Sequence, residues 1–188
     1  LGPVVFPAYE QTSVGVRGGS PFDPNAVALR GVIAQFGLDS RCIRRHLGIF
    51  DADARKALAA EIGAKFLKEF DPKKERAWIA EKDGENVGFV MLIKQSDEIA
   101  KLRMLLVDPK ARGLGIGRRL VEECIRFARD RGYKKMTLWT NDILTAAIHI
   151  YRELGFKMVA EERHRSFGHE MMGQTWELDL ASDASAAA

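Results

Sequence analysis

The stretch "VDPKARGLGIGRRL", Val107 to Leu120, carries the reading of this chain. An apolar run stops at Asp108-Pro109, three glycines follow at alternate positions among arginines, and a helical pattern then begins. Ordered glycine costs conformational entropy, so Gly113, Gly115 and Gly117 imply that backbone shape or backbone access is needed there. A strand that ends at such a turn and opens a helix gathers unpaired backbone N–H groups at the positive end of the helix dipole. That combination is suited to an anion. The amides from Gly113 to about Arg118 can surround a pyrophosphate, with Arg112, Arg118 and Arg119 adding positive charge.

Two common phosphate loops do not fit. Gly117 is followed by Arg118-Arg119 where a Walker A loop needs Lys-Ser/Thr, and the spacing G-x-G-x-G differs from the dinucleotide fingerprint G-x-G-x-x-G.

Working outward, the run Ile99 to Val107 before the turn reads as a strand. Before that, "RAWIAEKDGENVGFVMLIKQ" places two β-rich runs on either side of Asp83-Gly84, a hairpin signal, so the three strands form an antiparallel meander. After the turn, Leu120, Val121, Cys124, Phe127 and Ala128 form an apolar stripe at helical spacing that Gly132 ends. "KKMTLWT" reads as a strand, "LTAAIHIYREL" as a helix ended by Gly155, and "FKMVAEER" and "GQTWELDL" as two final strands. Upstream, Leu58, Ile62, Phe66 and Phe70 recur every four residues before Asp71-Pro72, predicting a helix laid against the sheet. Two short helices fit residues 25–46, and residues 1–24 read as irregular with one short strand near Val14 to Arg17. The expected organisation is an irregular segment 1–24, one domain 25–180 and a disordered tail 181–188.

The composition is that of a soluble globular domain: 188 residues, 46% hydrophobic, net charge +3. No apolar run reaches membrane-spanning length and no secretory pattern opens the chain, which predicts a cytoplasmic protein without a membrane partner. Cys42 and Cys124 lack any metal or disulfide spacing and read as free thiols. The histidines and glutamates between Glu161 and Glu170 read as solvated rather than metal-binding, so no metal is expected.

"RGLGIG" resembles the Q/R-x-x-G-x-G/A signature of the GNAT superfamily of acyl-CoA-dependent N-acyltransferases, with Arg112, Gly115 and Gly117 at its defining positions. The likeness extends from about Arg76 to Leu180 through "LRMLLVDPKA", "LWTN" and "AAIHIYRELGF", in which Ala147, Tyr151, Gly155 and Phe156 match the family's A-x-x-x-Y-x-x-x-G-F segment. It is closest to acetyltransferase domains that follow a MarR-type DNA-binding half in some bacterial regulators. The resemblance implies an α/β (α+β) fold with a central mixed, mostly antiparallel sheet flanked by helices on both faces. It also implies acetyl-CoA as co-substrate, a small-molecule or peptide amine as acceptor, and direct attack in a ternary complex. Family habit allows a homodimer.

By the same resemblance, the central strand and the next splay apart, and backbone groups of Leu105, Leu106 and Val107 hold the pantetheine arm in the gap. Backbone amides from Gly113, Leu114, Gly115, Ile116, Gly117 and Arg118, with the Arg112 side chain, hold the diphosphate. Asn141 hydrogen-bonds the cofactor or caps its strand. Tyr151 protonates the departing sulfur, and Glu98, at the start of the central strand, is the candidate base. A base or a water chain is required because an alkyl amine of pKa near 10.4 is less than about 0.1% neutral at pH 7. Phe167 and Trp176 are candidates for touching the acceptor. Two competing readings use other features: residues 32–50 have the outline of a helix-turn-helix, and the same glycine turn serves a non-catalytic acyl-CoA sensor.

Overall fold

The computed structural model describes residues 66, 70–83, 85–166 and 169–181. The expectations for residues 1–65 and for the tail beyond residue 181 lie outside these residues, and of the helix expected before Asp71 only Phe66 and Phe70 are among them. The helix-turn-helix reading of residues 32–50 lies outside them as well. No helix among the described residues is long and apolar enough to cross a membrane.

The meander forms as the alternation predicts. β1 (Arg76–Lys82) and β2 (Glu85–Lys94) pair antiparallel, with Asp83 in the left-handed region at φ 53° between them. β3 (Ile99–Val107) returns along β2, and the turn before it is held by the Ser96 hydroxyl, which accepts from the Ile99 amide at 3.1 Å. α1 (Ile116–Asp130) follows the glycine turn, β4 (Lys135–Asn141) runs parallel to β3, and α2 (Thr145–Glu153) leads to the hairpin β5 (Lys157–Ser166) and β6 (His169–Asp179). Among the described residues six strands form one mixed sheet in the order β1-β2-β3-β4-β6-β5, with β3–β4 the parallel pair.

The last hairpin is longer than its sequence suggests. Residues 164–172 read as a loop because "HRSFGHEMM" lacks the apolar alternation of a strand, yet the ladder continues to Ser166 opposite His169. β5 is an edge strand with little apolar surface to bury, so charges occupy both its faces and guard the exposed edge against pairing with another chain.

Two cores flank the sheet. On the first face, Leu120, Val121 and Cys124 of α1 and Ile148 and Tyr151 of α2 pack with Val90, Leu92, Leu102, Met136, Leu138 and Trp176. On the second, Phe66, which is helical, packs with Ile79, Phe89 and Met91, and its ring lies 5.0 Å from that of Phe70.

A bulge in β3 exchanges residues between these faces. Met91 is opposite Arg103 and Phe89 is opposite Leu106, so Val90 faces two residues, Met104 and Leu105. Met104 takes φ 56°, a left-handed conformation that costs energy for a residue with a side chain. Strict alternation would keep Met104 with Ala100 and Leu102 on the first face; instead Met104 and Leu106 join the second core while Leu105 and Val107 join the first.

The sheet then opens. β3 pairs β4 only from Ile99–Lys135 to Leu102–Leu138. Beyond that point β3 continues through Val107 and β4 through Asn141 with no ladder between them.

Candidate active site at the split sheet

The glycine turn lies where β3 ends. Asp108 accepts from the Lys110 amide at 2.8 Å and starts one 3-10 turn, Pro109–Ala111, which turns the chain out of the sheet. Gly113 and Gly115 both have left-handed φ, 76° and 74°, and a Cβ on either would meet nothing within 4 Å. Their backbone is thus both bent as only glycine readily allows and open to approach. Gly117 differs. It is buried, and a Cβ there would stand 3.0 Å from Ile150 Cδ1 and 3.5 Å from Val107 Cγ2. Two glycines expose backbone, and the third lets α2 close onto α1 and the end of β3.

Gly115 caps α1, and the first intrahelical bond is donated by the Arg119 amide to the Gly115 carbonyl at 3.1 Å. The amides of Gly115, Ile116, Gly117 and Arg118 therefore precede the ladder and find no acceptor among the described residues. No acidic side chain occupies the first turn of α1. Four free donors at a helix N-terminus beside open glycines fit the diphosphate of a nucleotide cofactor.

The arginines divide their work. The Arg112 side chain stands exposed with no partner among the described residues. Arg118 is occupied: its Nε donates to Glu122 at 2.8 Å and its NH1 to Glu153 at 3.0 Å, bridging the start of α1 to the end of α2. Its backbone amide remains available, whereas its side chain serves the α1–α2 contact.

Ala147 and Ile150 of α2 pack against the first core, as do Leu105 and Val107 at the end of β3. The C-terminus of α2 explains the G-F segment. Gly155, at φ 87°, sends its amide to the Arg152 carbonyl at 3.0 Å, and the Phe156 amide reaches the Tyr151 carbonyl at 3.0 Å, a Schellman stop. The same motif brings the Phe156 ring to 5.8 Å from Tyr151 and fixes the phenol in place. Tyr151 is buried, and its hydroxyl has no hydrogen-bond partner among the described residues. Burial, and secondarily the neighbouring Cys124, push the phenol well above its usual pKa, so the proton is held. Burial likewise pushes up the Cys124 thiol, leaving it inert.

Glu98 is not part of this arrangement. It precedes β3 at the end where β3 and β4 are paired, seven residues before Leu105 and so roughly 23 Å away along a strand. Its carboxylate is exposed and paired with Lys134. A base must reach the amine directly or through one water, and Glu98 stands at the paired end of β3 rather than at the opening. Asn141 ends β4, but its Oδ1 is taken by Nε2 of His164 at 2.9 Å. Trp176 is also displaced from its expected role: it lies in the first core, with Nε1 donating to Gln174 at 3.2 Å and Arg152 over its ring at 5.3 Å. Phe167 lies outside the described residues.

An aromatic residue that sequence reasoning passed over stands in the open instead. Trp139 is 43% exposed on the second face, just beyond Leu138. A Cβ at Gly173 would lie 2.5 Å from its Cζ2, so the indole rests directly on that glycine. Nε1 donates to Glu162 at 3.2 Å, and the His164 ring is 5.2 Å away. The alternation in "KMTLWT" contained the signal: with Met136 and Leu138 in the first core, Trp139 has to face the other side.

A strand pair that opens and a turn of unpaired amides at its end agree with the fold that the sequence resemblance implied. The model of the acetyltransferase (GNAT) family matches residues 43–156, and the chain belongs to that family. It is 32% identical over 115 residues to N-acetyltransferase 8B of Homo sapiens, covering 58% of this chain and 46% of that protein. It is also 32% identical over 107 residues to mycothiol acetyltransferase of Thermomonospora curvata, covering 53% of this chain and 36% of that protein. The chain thus spans less than half the length of either. In fold it is similar to a GNAT family acetyltransferase from Elizabethkingia anophelis solved with acetyl-CoA bound, with TM-score 0.53, 20% identity, and coverage of 63% of this chain and 82% of that one.

Proposed function

We propose that this chain is an N-acetyltransferase that moves the acetyl group of acetyl-CoA to a primary amine by direct attack while both are bound. The observation that carries the reading is the set of unpaired amides from Gly115 to Arg118 beside the open backbone of Gly113 and Gly115, at the end of a strand that has parted from its neighbour. Family membership supports it, as do relatives named for acetyl transfer and a fold neighbour solved with acetyl-CoA.

When bound, acetyl-CoA supplies an acyl carbon activated as a thioester and a thiolate that requires one proton on leaving. The amides from Gly115 to Arg118 hold the diphosphate, with Arg112 near it. The unladdered backbone of Leu105, Leu106 and Val107 offers sheet-like hydrogen bonds to the amide-containing arm. An amide near Leu106 polarises the acetyl carbonyl. Tyr151 delivers the proton to sulfur: its hydroxyl has no hydrogen-bond partner among the described residues, and burial raises its pKa further above neutral pH. With Glu98 at the far end of β3, the proton of the attacking amine leaves through water at the open mouth of the split. On the resemblance of its sequence alone, we also propose that the domain is most like the acetyltransferase domains found fused to MarR-type regulators.

The test is a thiol-release assay with acetyl-CoA across a panel of primary amines, comparing the native protein with Tyr151→Phe. Turnover that falls by about a hundredfold in the variant, with acetyl-CoA affinity unchanged, supports the reading. A protein that binds acetyl-CoA and releases no thiol with any amine is a sensor.

A further inference from the structure

We propose that the acceptor is an amine that also carries a carboxylate, and that Lys101 and Arg103 hold this carboxylate on the second face of the sheet, beside the Trp139 indole. The inference rests on the acetyltransferase reading above and names the substrate class of that site.

Placement comes first. Residues directly opposite in a ladder share a face. Lys101 is opposite Ile93 and Arg103 is opposite Met91, and both partners belong to the second core. Both cations therefore point away from α1, α2 and the glycine turn. The bulge at Met104 keeps Arg103 and Met104 on this same face. Arg103 and Trp139 are the first residues beyond the last β3–β4 pair, Leu102–Leu138, so they stand on the two sides of the opening.

The electrostatics are unusual for a protein surface. Neither Lys101 nor Arg103 has an ion pair or hydrogen bond among the described residues, although both are half-buried. Among the described residues the acidic groups on this face have other partners: Glu177 accepts from Lys135 at 2.7 Å, Glu162 accepts from the Trp139 indole, and Asp179 accepts from the Ala181 amide at 2.9 Å. Burial, and secondarily the charge of Arg103, lower the Lys101 pKa from its usual value. Two adjacent like charges, partly desolvated and without a counter-charge among the described residues, destabilise the fold, and an anion placed between them removes that cost. A carboxylate matches the planar fork of Arg103 and the point charge of Lys101.

The opening adds the remaining specificity. An acid group fixed by Lys101 and Arg103 leaves its amine at the split, where the thioester would arrive from the first face. A side chain of the acceptor would then lie against Trp139, whose indole is held flat by Gly173 and Glu162. α-Amino acids and peptides whose amine lies near a carboxylate have this shape. Simple alkyl amines lack the group that the two cations are placed to receive.

The experiment compares the common L-amino acids with their carboxamides as acceptors in the thiol-release assay, using the native protein, Arg103→Gln and Lys101→Gln. Acetyl-CoA affinity is measured on each protein by calorimetry. The expected result is at least a tenfold preference in kcat/KM for one or more acids over the matching amide. Both substitutions should lose that preference through KM while the amide rate and acetyl-CoA affinity stay unchanged. Equal turnover of acids and amides, turnover of amides alone, no turnover of any acid, or a preference that survives both substitutions overturns the proposal. A native protein that fails to bind acetyl-CoA overturns the acetyltransferase reading instead, so the two failures are distinct.

Discussion

Leu102 and Leu138 are the last residues that β3 and β4 share in their ladder, and both are buried in the core beneath α1. This pair is the apex of the opening. From it β3 runs on to the glycine turn, while Arg103 and Trp139 stand on the second face, so the proposed donor and acceptor meet through a gap in the backbone rather than in a surface cleft.

Tyr151→Phe removes a buried hydroxyl that has no partner among the described residues. Leaving such a group unpaired costs about 1–3 kcal/mol, so the variant is expected to be at least as stable as the native protein in urea while losing most turnover. Loss of stability with retained activity would make Tyr151 a packing residue.

Gly173→Ala places a methyl group 2.5 Å from Cζ2 of Trp139. The indole has to lift, breaking its bond to Glu162. The expected outcome is a raised KM for the acceptor with unchanged acetyl-CoA affinity, and a stability loss on the order of 1–3 kcal/mol from overpacking. Steady-state kinetics varying each substrate in turn check this.

Lys101→Met separates a structural from a ligand-binding role. A lysine whose folded pKa is depressed destabilises the native state while it is protonated, and this penalty disappears as pH rises past the unfolded value. At neutral pH the substitution is therefore expected to leave stability unchanged or raise it, while turnover of acidic acceptors falls. Denaturant titrations at pH 7, beside the acceptor assay, measure both.

Tyr133 gives a pH dependence of the opposite sense. It is buried with its hydroxyl donating to the Lys74 carbonyl at 2.9 Å, and burial, then Glu75, Asp71 and Asp97, push its pKa up to about 12. The raised value stabilises the fold below the unfolded pKa of about 10, and that contribution is lost as pH climbs towards 12. Tyr133→Phe is expected to be less stable at pH 8 and to show a shallower decline between pH 10 and pH 12 in denaturant titrations.

Much of the described architecture was legible because its signals are local. The Asp83-Gly84 hairpin, the limits of β3 at Ile99 and Val107 and the stripe of α1 each follow from a turn residue or a period. The glycine turn was legible for the same reason, although its residues divide between open backbone at Gly113 and Gly115 and close packing at Gly117. The bulge at Met104 was not. "LRMLLV" is largely apolar and serves buried faces on both sides, so a change of face leaves little trace in its hydrophobic pattern. The placement of Glu98 was not legible, because closeness in sequence to the central strand says nothing about which end of that strand opens. Trp139 was overlooked because its importance depends on Gly173, 34 positions later, which becomes its neighbour only when β4 and β6 pair.

The central claim is that backbone amides at Gly115 to Arg118 hold the diphosphate of acetyl-CoA. Titration calorimetry of acetyl-CoA into the native protein and into Gly115→Ala tests it most directly. The substitution adds a Cβ to a left-handed position, at about 1–2 kcal/mol, and disturbs the amides themselves. A single saturable site in the native protein, weakened roughly tenfold or more in the variant, is the predicted result. No heat with the native protein, or equal affinity in the two, would contradict the account.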